Sequence, residues 1–354
     1  MKKVLLIGLV LMLALGANAS TSADNASAAG DYQLVWNMDF TGASLNSDAF
    51  NIEVNGDGGG NNELQYYCEK GVSLGVEPVT GKHCLILTAT KENYLGKTCT
   101  SGRVNTLGKV FFTYGKVEAR IRFPQTANGL WPAFWMMGNN YSEVGWPRCG
   151  ELDIIELGHR DGIKAGTQDR YFNGAMHVGS RWDAVWSDAQ HVTYGYSVED
   201  GFHTISCEWT PTSVEMFVDK DIYPDAKPYF STKLEPDDND DYNRQLIWSR
   251  PNFIIFNLAI GGNFPGIWDI NGITALAGGP RKMYVDYLRI YQRGDVGETF
   301  QSKVASEPIE DATGIATPYS PLKEGNVRKV LRNGEIHILY NGSEYNLLGE
   351  KINE

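Results

Sequence analysis

Gly150-Glu151-Leu152-Asp153-Ile154-Ile155-Glu156-Leu157 threads three acids through apolar residues, just after a tryptophan-rich run. The pattern reads as a β-strand with its polar chemistry on one face. Side chains alternate along a strand, so Glu151 and Asp153 point the same way, but strict alternation would send Glu156 to the opposite side. One extra residue at Ile154-Ile155, a β-bulge, turns Glu156 back beside the other two acids.

Four effective strand steps of roughly 3.3 Å set the Glu151 and Glu156 Cα atoms about 13 Å apart. Two convergent glutamate side chains then narrow the carboxyl gap to about 5 to 6 Å, near the spacing of about 5 to 5.5 Å used for retaining cleavage of a glycosidic bond. The string alone reads more readily as ordinary surface acids on an exposed strand, so its context decides.

A chain of 354 residues is long enough for one large β-sandwich and a tail. The net charge of -12 argues against nucleic acid or an anionic membrane surface as partner and favours a neutral one. Nine Trp and 18 Tyr exceed what a core needs, and aromatic faces stack on sugar rings. Lys2 and Lys3, the apolar run 4–15 and Ala17-Asn18-Ala19 compose a cleavable signal peptide over residues 1–19, too short to span a bilayer. Export to the cell surface, the medium or the periplasm is expected. The small polar residues 20–30 read as a disordered leader. Cys68, Cys84, Cys99, Cys149 and Cys207 are an odd set allowing at most two disulfides, and their spacing matches no zinc site.

From residue 31 the chain is a series of short β-rich runs between turn residues: 32–40, 64–68, 84–90, 104–107, 116–123, 133–137, 151–157, 171–177, 203–209, 213–218, 252–260 and 283–292. With no amphipathic helix of ordinary length among them, the expected fold class is all-β, a sandwich or jelly roll. Two longer loops, 158–170 and 219–250, interrupt the series, and Asp237 to Asp241 in the second read as a solvated acidic turn rather than a calcium loop.

Several runs gather around the opening strand: Asn61-Asn62-Glu63-Leu64-Gln65-Tyr66-Tyr67, Ser101-Gly102-Arg103-Val104, residues 114–120, 129–138, 202–211, 257–266 and 283–292. Trp131, Ala133 and Trp135 share one strand face, which lets two indoles floor a groove beside the acids. Taken together, in this order over residues 31–293, these runs resemble glycoside hydrolase family 16 and specifically its laminarinase-like branch. The resemblance implies a β-jelly roll of two packed antiparallel sheets with a concave cleft for a β-glucan chain, cut internally with retention and with no cofactor for catalysis. It implies Glu151 as nucleophile, Glu156 as acid/base, Asp153 as the acid between them and His177 as a hydrogen-bonding support from a neighbouring strand. It further implies that Asn61, Glu63, Arg103, Trp131, Trp135, Trp146 and Asn263 line the cleft. A structural calcium on the convex face falls to Asp286, with Asp39 and Gly81 as companions. A monomer is expected.

Beyond the catalytic domain at 31–293, residues 294–323 read as a polar linker. Residues 324–354 hold three alternating runs joined at Asn333-Gly334 and Asn341-Gly342, both hairpin dipeptides. This tail is similar to the sorting tails of proteins exported by the type IX machinery of Bacteroidetes, with a small accessory β-domain as the alternative. The rival readings are a non-catalytic glucan-binding jelly roll and a same-fold galactanase or transglycosylase. Retention of all three acids favours catalysis, and the bulged E-x-D-x-x-E spacing favours laminarin-like glucans.

Overall fold

Alternation of apolar and polar residues every second position recurs through the chain and produces strands almost throughout. The structure, a computed structural model, describes residues 31–234 and 247–309 and the backbone of 328–332, 335–340 and 343–345. The expected signal peptide, the leader at 20–30 and the acidic run at 237–241 lie outside the described residues.

In chain order the strands begin with β1 (Gln33–Met38), β2 (Asn51–Ile52), β3 (Tyr66–Tyr67), β4 (Val72–Val76), β5 (His83–Tyr94), β6 (Lys97–Ser101) and β7 (Arg103–Asn105). They continue with β8 (Val110–Thr113), β9 (Gly115–Arg122), β10 (Leu130–Gly138), β11 (Glu151–Leu157), β12 (Tyr171–Arg181), β13 (Ala184–Thr193) and β14 (His203–Trp209). Then follow β15 (Ser213–Val218), β16 (Phe230–Lys233), β17 (Asn252–Ile260), β18 (Arg281–Gln292) and β19 (Thr299–Ser302), and last β20 (Arg328–Arg332), β21 (Glu335–Tyr340) and β22 (Ser343–Tyr345). The α-helices among the described residues are short, α1 (Tyr141–Val144) and α2 (Arg160–Ala165).

One sheet runs β16-β15-β14-β9-β18-β5-β6-β3, with β1 beside β18 and β4 beside β5. The acid-bearing sheet runs β13-β12-β11-β10-β17-β7-β2, and β8 and β19 extend it from β17. Pairing is antiparallel except for β3 on β6. The facing sides of the two sheets enclose one core containing Trp36, Phe112, Phe134, Phe172, Trp209, Phe256 and Leu288. This is the expected jelly roll of two packed sheets.

The bulge falls where the acid spacing places it. Against β10, Phe134 pairs with Ile155 and Trp135 with Asp153; against β12, Asp153 pairs with Ala175 and Glu156 with Asn173. Ile154 and Ile155 both enter the core, which is how two residues oppose one without turning an acid inward. Gly174 stands opposite them, and a Cβ there would lie 2.5 Å from Met216 Sδ. The Ile154 carbonyl, displaced from regular pairing, accepts a hydrogen bond from the buried Tyr229 hydroxyl.

Several expectations need correction. The polar stretch after residue 293 does not begin as a linker: β19 pairs with β8 from Thr299 opposite Thr113 to Ser302 opposite Val110. The Ser306 hydroxyl then accepts from the Asn37 amide at 3.0 Å, and Glu307 Oε2 from the Asp39 amide at 2.8 Å. Packing on the sandwich therefore continues to the end of the described segment at 309. The loop at 158–170 contains α2, and the loop at 219–250 contains β16. Tail strands β20, β21 and β22 form their own antiparallel sheet. All five cysteines are free and buried, and burial pushes the Cys84, Cys99 and Cys149 thiols up to about 12.

Candidate active site

Cross-strand partners in an antiparallel pair share a face, so the registers lay the site out in rows across the sheet. Glu151 stands between Met137 of β10 and His177 of β12, Asp153 between Trp135 and Ala175, and Glu156 between Ala133 and Asn173. The rows continue through β17 and β7: Trp135 faces Ile255 and Asn105, while Ala133 faces Asn257 and Arg103. Glu151, Asp153, Glu156 and His177 thus come together on one face.

Glu156 is 8% exposed, and each carboxyl oxygen has one donor. Trp131 Nε1 donates to Oε1 at 2.9 Å and Asn173 Nδ2 to Oε2 at 2.8 Å. Burial holds its pKa above the usual carboxylate range, because desolvation outweighs these two donors. Glu151 is pushed up to about 8 by burial and by Asp153 beside it, with His177 and the Trp146 indole pulling the other way. Asp153 is raised as well, by burial and by Glu156, and hydrogen-bonds Glu151. Burial and mutual repulsion raise all three acids, so the cluster retains at least one proton near neutral pH.

His177 links this pair outward. Its Nε2 lies 3.3 Å from Asp153 Oδ2 and its Nδ1 2.7 Å from Ser187 Oγ. The ring thus bridges Asp153 and Ser187 through its two nitrogens. Glu151, Asp153 and His177 bring one ligand atom each within 4.8 Å of one another, a set able to hold a cation.

On the β10, β17 and β7 side the floor is aromatic and amide-rich. Trp135 Nε1 donates to Asn257 Oδ1 at 2.7 Å, and the Arg103 guanidinium lies 4.9 Å from the Trp135 ring while pairing with Glu53 at 2.9 Å. Trp146, 41% exposed, stands at the mouth beside Glu151. Asn61 and Asn263 meet through their backbones at 2.8 Å, and Asn263 Oδ1 accepts from Asn62 and Trp268.

Two expected cleft residues have other duties. Glu63 is 5% exposed, and its Oε2 accepts from Gln65 and Tyr67, whose hydroxyl is also 3.4 Å from Asn257 Nδ2. It props the floor from beneath. Trp131 is covered by Phe264, whose ring stacks on it at 4.6 Å, so its contribution is the indole donor to Glu156 and not an open stacking face. Asn173, Asn257, Phe264 and Ser187 were not singled out by the sequence. Asn173 lies within an expected strand but carries no pattern of its own, while Ser187 sits on β13, a polar run outside the expected strands.

The calcium expectation does not fit the residues present. Asp286 pairs with Arg120 at 2.5 Å, Asp39 with Arg289 at 3.5 Å, and Gly81 only closes the turn between β4 and β5 with its amide on Glu77. Calcium takes six to eight oxygen ligands, and an arginine on each carboxylate already supplies the balancing charge.

A buried carboxyl held by two donors, set on one face with two further acids in a cluster that retains a proton, is equipped to protonate a leaving oxygen while a neighbouring carboxylate attacks the carbon behind it, and the class so defined is the glycoside hydrolases. The family described as Glycosyl hydrolases family 16 matches residues 62–237, and the chain belongs to it. The glucan endo-1,3-beta-glucosidase of Cryptopygus antarcticus is 33% identical over 248 residues, 67% of this chain and 83% of that protein. The clotting factor G alpha subunit of Tachypleus tridentatus is 34% identical over 74% of this chain, which spans only 34% of that longer protein. A mixed-linkage-glucan family 16 structure from Bacteroides ovatus, in complex with a product, superposes with a TM-score of 0.63 at 35% identity, covering 73% of this chain and all of that one.

Proposed function

We propose that the chain is an endo-acting β-glucanase that cleaves internal bonds of laminarin-like β-1,3-glucans and of mixed-linkage glucans with retention of configuration. The observation that carries this reading is the bulge that sets Glu156 on the same face as Glu151 and Asp153. Glu156 donates its proton to the departing glycosidic oxygen while ionised Glu151 attacks the anomeric carbon, Asp153 taking up the proton the two share. Glu156, now a carboxylate, accepts a proton from the water that releases the sugar from Glu151. Trp131 and Asn173 hold Glu156 in place through both steps, and His177 orients Asp153. No cofactor takes part.

The names of the Cryptopygus and Bacteroides relatives support a glucan substrate. A non-catalytic binder is disfavoured because all three acids are present and held by donors on neighbouring strands. Export through the amino-terminal segment, with the tail as a sorting signal, belongs to the same reading. Laminarin, curdlan, mixed-linkage glucan and agarose, assayed with product sizing over time, test the function. Mixed-length oligosaccharides from the glucans and none from agarose are expected, and cleavage of agarose alone, or uniform small products from the start, contradicts it.

A further inference from the structure

The rows that organise the acids run on past β12. Glu151, His177 and Ser187 form one row, Glu156, Asn173 and His191 another, and between them Asp153 leads to Ala175 and then Ala189 on the edge strand β13. Ser187, Ala189 and His191 are exposed, while their neighbours Trp186 and Val192 pack into the core, so these three face the same side as the acids. Ala175 between them is itself a small, buried side chain. The face therefore steps down to a single methyl at Ala189, flanked by a hydroxyl and an imidazole roughly 13 Å apart along the strand.

Both flanks are tied to the catalytic groups. Ser187 is the Nδ1 partner of His177. His191 packs against His159 and Tyr171 at ring distances of 4.8 and 5.6 Å, and His159 lies 4.9 Å from Phe264, the ring covering Trp131. Burial lowers the pKa of His159 and of His191, which keeps both rings neutral near neutral pH.

The opposite side of the acids, with Trp135, Asn257 and Arg103, offers the denser set of anchors. A sugar bound covalently to Glu151 must be held through two chemical steps, whereas its former neighbour must leave between them. The anchored side therefore suits the sugar that stays, and the open edge strand the sugar that departs.

We propose that Ser187, Ala189 and His191 form the leaving-group-side binding site, which takes an uncharged pyranosyl residue lying on the Ala189 methyl, with Ser187 and His191 hydrogen-bonding its hydroxyls. This rests on the glucanase reading above. A sugar bearing sulfate or carboxylate is disfavoured there, since these three residues present a methyl, a hydroxyl and an imidazole, with three acids in the adjoining rows.

The test compares two substrates in Ala189→Arg and His191→Ala. One is the better of laminarin and mixed-linkage glucan; the other is the corresponding disaccharidyl β-fluoride, whose leaving group is a single atom. The ratio of kcat/KM for the polysaccharide to that for the fluoride is expected to fall about tenfold in each variant. An unchanged ratio, or equal slowing of both substrates, overturns the proposal. His191→Ala shortens an exposed side chain and decides the matter if Ala189→Arg does not fold. Unsubstituted protein that turns over neither glucan but cleaves another polysaccharide overturns the glucanase reading itself.

Discussion

At the scale of single residues, the site depends on carboxyls of similar type behaving differently. In the proposed mechanism Glu156 acts protonated and Glu151 ionised, so activity is expected to fall as pH rises through the raised pKa of Glu156 and to fall again as pH drops and Glu151 takes up a proton. The hydrogen bonds from Asn173 and Trp131 favour the charged form of Glu156 and so lower its pKa against the burial that raises it. Asn173→Leu removes one donor while keeping the site dry. Its pH profile for kcat/KM is expected to move its alkaline limb upward by about 0.7 of a unit, the equivalent of one hydrogen bond of about 1 kcal/mol. A limb that stays in place or moves down shows that the donor does not set this acid.

At the scale of elements, the decisive feature is a strand with one residue too many. The bulge puts Ile154 and Ile155 into the core and leaves the Ile154 carbonyl to Tyr229. Tyr229→Phe keeps the ring and strands that carbonyl, at an expected cost of about 1 to 3 kcal/mol in denaturant unfolding. Because the bulge aims Glu156, kcat is expected to fall with little change in KM; a variant with native stability and kcat denies the hydroxyl this role. The bulge was legible in the sequence because E-x-D-x-x-E cannot keep three acids on one face otherwise. What holds it was not legible, since Tyr229 lies 75 residues from Ile154 and only folding brings the hydroxyl to the carbonyl. Trp131 and Trp135 show the same divide: their shared face follows from spacing, but the cover of Phe264 over one and the Arg103 guanidinium over the other arise from distant segments.

At the scale of the molecule, most strands could be read from alternation, and the carboxy-terminal edge of the sandwich could not. Residues 294–309 are polar because β19 lies outermost in its sheet, and composition does not separate such an edge strand from a linker. The two boundaries differ in consequence. A chain ending after Ile309 keeps β19 and the Glu307 hydrogen bond to Asp39, and is expected to retain full glucanase activity. A chain ending after Arg293 uncovers β8 and the end of β1, and its Tm is expected to drop by several degrees. Equal melting of the two would show that β19 contributes nothing to the domain.

In the proposed mechanism Glu151 attacks and Glu156 protonates. Incubation with a 2-deoxy-2-fluoro-β-glucan oligosaccharide bearing an activated leaving group slows release of the covalent intermediate, and peptide mass spectrometry then locates the attached sugar. One adduct is expected, on Glu151. An adduct on Glu156 or Asp153, or turnover of the reagent with no adduct at all, contradicts it.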